Sequence, residues 1–163
     1  MADRTRDDGR RARSAARLAA VQALYQMEVT GAAMAAVRSE FEAHRLGAEI
    51  EEAGGPQYHD ADLSLFRAIL SGVVESQARI DRLTDEALVA KWPLGRIDPT
   101  LRALFRAGGY ELTMRPDVPA RVVIGEYVDV AKAFYAEGKE AKFVNAVLDH
   151  MAREVRPGEL APR

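Results

Sequence analysis

Asp98-Pro99-Thr100-Leu101-Arg102-Ala103-Leu104-Phe105-Arg106-Ala107-Gly108-Gly109-Tyr110-Glu111-Leu112 carries the marks of one buried helix. Asp98 offers a side-chain acceptor to the free N–H groups of a first turn, and Pro99 stands where a missing N–H costs nothing. Leu101, Leu104, Phe105, Gly108 and Leu112 recur at helical spacing and define a buried face. A glycine inside a helix costs about 1 kcal/mol relative to alanine. Gly108-Gly109 therefore implies a neighbouring helix that approaches closely.

Downstream, Arg115-Pro116-Asp117-Val118-Pro119 reads as a turn, and Pro119 starts a helix with Val123, Tyr127, Val130 and Phe134 in phase. Gly138 breaks it. A last helix from Lys139 to Glu154 places Val144, Val147, Leu148, Met151 and Val155 on one face, ahead of Arg156-Pro157-Gly158. Upstream, Ile80 to Lys91 (Leu83, Ala87, Leu88) reads as a helix stopped by Trp92-Pro93-Leu94-Gly95. Before it lies a helix with Leu65, Phe66, Ile69, Leu70, Val73 and Val74, capped by Asp60 or Asp62. Gly47 to Asp60, with Gly54-Gly55-Pro56, reads as an acidic loop, and Met34 to Leu46 as a helix carrying Val37, Phe41 and His44. The first helix starts near Gly9 or Arg10, repeats Leu18, Val21, Leu24 and Tyr25, and ends at Gly31.

No segment shows sustained period-two alternation. About seven helices with short loops predict an all-α protein of two packed helical subdomains, residues 10–77 and 78–156. Residues 1–9 are polar and basic and are expected to be disordered, and residues 157–163 form a tail. At 163 residues, with 48% hydrophobic and 29% charged, the chain is long enough for a proper core.

The formal charge of −2 hides an asymmetry. From Gly9 to Tyr25 the charged residues are Arg10, Arg11, Arg13 and Arg17, with no acid. From Glu40 to Asp62 seven acids face Arg45 alone. A basic arm on an acidic body suits a polyanion contacted from one end, although a solvated terminus would carry the same charge. Arg10, Arg13 and Arg17, spaced three then four, form a stripe along one side of the first helix.

Enzyme chemistry finds no support. There is no cysteine, hence no disulfide, thiolate nucleophile or Cys-ligated zinc, which fits a reducing cytoplasm. His44, His59 and His150 lack metal-ligand spacing, so no metal site is expected. Gly138-Lys139 lacks the rest of a phosphate-binding loop, no Gly-x-Ser-x-Gly elbow occurs, and Glu51-Glu52 sits in a solvated loop. The expectation is no catalytic residue and no cofactor. No apolar run approaches a membrane span and no secretory-type stretch follows the first arginines, which predicts a cytoplasmic protein.

Three stretches carry a family likeness. Arg10-Arg11-Ala12-Arg13-Ser14-Ala15-Ala16-Arg17 is followed by Ala20-Val21-Gln22-Ala23-Leu24-Tyr25; Leu104 to Leu112 is followed by Asp117-Val118-Pro119; and Lys142-Phe143-Val144-Asn145-Ala146-Val147-Leu148-Asp149 opens the last helix. In order and spacing, over roughly Arg10 to Arg156, they resemble the NusB family of transcription antitermination factors. The resemblance implies two helical subdomains and binding of single-stranded box A-type RNA together with NusE, a small-subunit ribosomal protein, within an RNA polymerase antitermination complex. It also implies an RNA-contacting role for Arg10, Arg11, Arg13 and Arg17, whose forked donors suit phosphates.

Arg106 matches the family arginine of L-R-x-A and serves either RNA contact or an ion pair. Lys142, Phe143 and Asn145 begin the last helix, where free N–H groups favour phosphate; Phe143 either stacks on a base or packs in the core. Tyr25 and Tyr110 are expected to be mainly structural. Three positions depart from the family pattern: Gly125 before Glu126 in place of asparagine, Ala146 in place of glycine, and Leu101 where an acid is common. Two other functions fit the same residues. One is the NusB-like RNA-binding module of an RNA cytosine methyltransferase, which needs a catalytic α/β region that the chain to Arg163 does not include. The other is a module that binds a protein partner and no RNA.

Overall fold

The computed structural model describes residues 2–44, 61–88 and 97–162. The acidic loop from Glu49 to Asp60, His59 and the Trp92-Pro93-Leu94-Gly95 stop lie outside them. Six helices and no strand occur among the described residues. They are α1 (Ala2–Thr30), α2 (Met34–His44), α3 (Leu63–Ala87), α4 (Pro99–Met114), α5 (Ala120–Phe134) and α6 (Gly138–Val155). Two compact units divide within α3, Met1–Ser71 and Gly72–Arg163.

Among the described residues the expected count of about seven is corrected to six, because the third and fourth expected helices are one. Gln77-Ala78-Arg79 contains no glycine, proline or capping residue, so nothing interrupts α3 there. The second correction concerns the amino terminus. The polar stretch before Gly9 is helical from Ala2, with Asp7 and Arg10 paired one turn apart.

In the first unit α1 is a helix of two kinds. From Ala15 to Leu24 every position except Leu18 and Gln22 is buried, and the small alanines let neighbours close in. Gly31, at φ +72°, ends the helix as expected, its N–H bonded to the Met27 carbonyl at 2.9 Å. Asp62 caps α3 through Leu65 N–H (2.9 Å), and its own N–H reaches the Ala12 carbonyl of α1 (3.0 Å). Phe41 of α2 stacks on Phe66 of α3, centroids 5.9 Å apart. Arg67 donates to both oxygens of Glu42 (2.6 and 3.1 Å), which holds that carboxyl below its usual range.

In the second unit α4, α5 and α6 pack on one another. Asp98 caps α4 as expected, its Oδ1 accepting from Thr100 and Leu101 N–H (2.8 and 3.1 Å). The same carboxylate accepts the Tyr135 hydroxyl (2.9 and 2.8 Å); burial first, and then Asp98, push that phenol above its ordinary value. Glycines set the helix spacing. A Cβ on Gly109 would stand 2.6 Å from Ile80 and 2.9 Å from Met151, while one on Gly108 would press on Leu148 at 3.1 Å. The tightest position is Gly72, where a Cβ would fall 1.9 Å from the Tyr110 ring. Arg156, 8% exposed, closes the unit. It donates to the carbonyls of Glu111, Leu112, Arg115 and Val118 (2.6–2.9 Å), satisfying the end of α4 and the turn after it.

Three residues read as core face groups are instead exposed to solvent over more than a third of their surface: Tyr25 (40%), Val74 (46%) and Phe134 (37%). Each is in phase with a buried stripe, but phase defines only the direction of a face; where the neighbouring element ends decides whether it is covered.

Candidate nucleic-acid interface

The charged half of α1 stands clear of the core. Arg10, Arg11 and Arg13 are exposed, as are Asp3 to Asp8 before them. Arg10 Nη2 donates to Asp7 Oδ1 at 2.7 Å across a well-exposed pair, a contact worth at most about 1 kcal/mol. Arg13 folds back along the helix: its Nη1 lies 3.2 Å from where a Gly9 Cβ would stand. With no side chain at Gly9, that guanidinium reaches back over the preceding turn. Arg10 and Arg13 line one concave strip of the helix surface with Arg6, Asp3, Thr5 and Asp7.

Arg17 does not join them. It is 2% exposed, the largest of the fully buried side chains, and is engaged within the protein. The three-and-four spacing does put it on the stripe, but by that turn the flanking Ala16, Ala20 and Val21 are buried as well. A charge is retained inside only with partners, so Arg17 is a structural cation.

The second unit holds the other expected contacts. Arg106 makes a two-pronged ion pair with Asp81, both bonds 3.0 Å, with both side chains mostly covered. Of the two readings open for Arg106, the ion pair is the one present. Lys142 and Asn145, three residues apart on α6, are exposed; Phe143 between them is half-buried, its ring edge-on to Phe105 at 5.8 Å. The first turn of α6 has no side-chain cap at Glu137, so its N–H groups are not closed off by one.

Residues 14–153 match the profile of the NusB family. The chain belongs to the NusB family. It is 58% identical over 149 residues to the transcription antitermination protein NusB of Nitrobacter hamburgensis, covering 91% of each chain. It is 57% identical over 144 residues to that of Mesorhizobium japonicum, covering 88% of this chain and 90% of the relative. Among solved structures it is similar to T. maritima NusB (TM-score 0.69, 29% identity, 90% of this chain and 94% of that one). The fold is shared with a structure of NusB and NusE in complex with dsRNA (TM-score 0.68, 24% identity, 88% and 98%).

The departures from the NusB pattern fall on forgiving ground. Ala146 is exposed, so a methyl group there displaces nothing. Gly125 faces open space, with no atom within 4 Å of a Cβ. Leu101 is buried at 8% and belongs to the core. Glu111, at 0% exposed, accepts the Tyr127 hydroxyl at 2.5 Å, a buried polar link that makes the Tyr-Glu-Leu segment structural. The expectation of a structural role therefore suits Tyr110, which is 7% exposed, and not Tyr25. Arg6, four residues before Arg10, borders the same strip, and charge asymmetry counted from Gly9 gives no sign of it. The stretch before Gly9 has little apolar content, so hydrophobic periodicity gives it neither a helix nor a face.

No helix among the described residues is long and apolar enough to cross a membrane.

Proposed function

We propose that this protein is a transcription antitermination factor that binds box A-type single-stranded RNA together with NusE, as part of an RNA polymerase complex in the cytoplasm. The observation that carries the reading is the exposed arginine face of α1, Arg10, Arg11 and Arg13, on a chain 58% identical to a transcription antitermination protein NusB. The guanidiniums supply phosphate contacts; Lys142 and Asn145 add a cation and an amide on α6, and Phe143 offers one ring edge. Arg17 and Arg106 serve by holding helices in place. The related fold solved with NusE and dsRNA supplies the partner classes, and duplex RNA is accordingly the comparison ligand.

A short arm holds few phosphates, and the chain is acidic apart from it. A basic ribosomal protein docked on this chain extends the positive surface, and linkage makes the tightening reciprocal. Titration of fluorescent box A-type RNA, single-stranded and duplex, with and without saturating NusE, tests the reading. The expected result is at least about tenfold tighter single-strand binding with NusE, a coupling of about 1.4 kcal/mol. Equal affinities in the two titrations contradict cooperative assembly. NusE binding with no RNA binding leaves a protein-only module.

A further inference from the structure

We propose that the RNA-binding strip runs past the family segment to Arg6, making Arg6 a phosphate-binding residue of this chain. The inference rests on the arm being the RNA-binding face. The family match begins at residue 14, so the turns that carry Arg6 lie outside it. α1 is nonetheless unbroken from Ala2.

Spacing places Arg6 on the strip. Arg6, Arg10 and Arg13 step along the helix axis by about 6 and 4.5 Å, and Arg6 and Arg13 are two turns apart on nearly the same line. All three border the same concavity. Arg13 leans toward the amino terminus over Gly9, which draws its charge toward Arg6 rather than toward the body.

The acids divide the strip unequally. Asp7 takes Arg10, whereas neither Arg6 nor Arg13 has a hydrogen-bond or ion-pair partner among the described residues. Asp3 and Asp7 border the same concavity, four apart along its edge beyond Arg10, and among the described residues neither pairs with Arg6 or Arg13. The result is two open guanidiniums flanking one that is already paired. A bound phosphate meets Arg6 and Arg13 without first displacing a carboxylate, and it must compete with Asp7 for Arg10. Arg6 thus completes a phosphate-binding line that Arg13 alone would leave short.

The test uses the full chain and a fluorescent single-stranded box A-type RNA, with Arg6→Ala, Arg6→Lys and Arg13→Ala compared over a range of salt. One lost phosphate contact flattens the slope of log K against log salt by about 0.7, equivalent to about fivefold in affinity at 0.1 M salt. Arg6→Ala is expected to show that loss with its helical signal unchanged, since alanine favours helix, and Arg6→Lys to keep most of the slope. Arg6→Ala binding like wild type while Arg13→Ala weakens would overturn the extension alone. Wild-type binding by both variants would remove the arm as the RNA-binding face, and the extension with it.

Discussion

The two halves of α1 share a helix and an arginine stripe, yet physics uses them differently. In Ala2–Arg13 the arginines stand in water, with Arg10 held loosely by Asp7; from Ala15 to Leu24 the helix is nearly enclosed, and its one arginine, Arg17, is 2% exposed. The same side chain is thus a solvent-facing cation at Arg10, Arg11 and Arg13 and a structural cation at Arg17, four to seven residues further on. Periodicity assigns residues to a face. Burial, set by which elements lie alongside, assigns the role.

The largest effect expected from this contrast is at Arg17. Arg17→Ala removes a buried charge from its partners and should cost about 3–5 kcal/mol in denaturant unfolding. Arg10→Ala and Arg13→Ala should stay within about 0.5 kcal/mol of wild type. An Arg17→Ala protein as stable as wild type would erase the distinction between the halves. Glycines sharpen the same contrast. Gly72→Ala drives a methyl into the Tyr110 ring and should destabilise by about 1–3 kcal/mol. Gly9→Ala meets only the tip of Arg13 and should stabilise by about 0.4–1 kcal/mol in the same thermal melts. Equal signs at the two positions would contradict the packing described for them.

The smallest effect is on acid stability. Arg67 holds the Glu42 carboxyl below its ordinary value of 4.5, so the ionised pair stabilises above that pH, and the contribution is lost as pH falls through the lowered folded value. Arg67 is exposed and Glu42 only partly covered, so solvent screens the pair and the loss should be slight, visible as a small drop in Tm below pH 4.5 that Arg67→Met abolishes.

Local chemistry was legible in the sequence wherever a residue acts on its own backbone. Asp98 and Pro99 opening α4, Asp62 capping α3 and Gly31 in a left-handed turn are cases in which the cause and the structure lie within four residues. What depends on distant neighbours was not legible. Gly108-Gly109 announced a close approach because two glycines stand together, whereas Gly72, isolated in α3, gave no sign of Tyr110, which is remote in sequence. Arg156 reads only as the last residue before a tail, and its four carbonyl acceptors come from α4 and the turn after it, about forty residues earlier. At the candidate site, the exposed Arg10, Arg11 and Arg13 followed from charge and spacing. The burial of Arg17 and the place of Arg6 beside Arg10 and Arg13 on an unbroken helix both depend on where the body ends.

The central claim, that the exposed half of α1 binds RNA through phosphates, is tested most directly by salt titration of a triple variant. Arg10→Ala, Arg11→Ala and Arg13→Ala are combined, with Arg17 retained to preserve the fold, and binding of single-stranded box A-type RNA is followed by fluorescence. Three contacts predict a slope flatter by about 2 in log K against log salt, with helical signal and melting unchanged. A triple variant that keeps the wild-type slope and affinity would contradict the account.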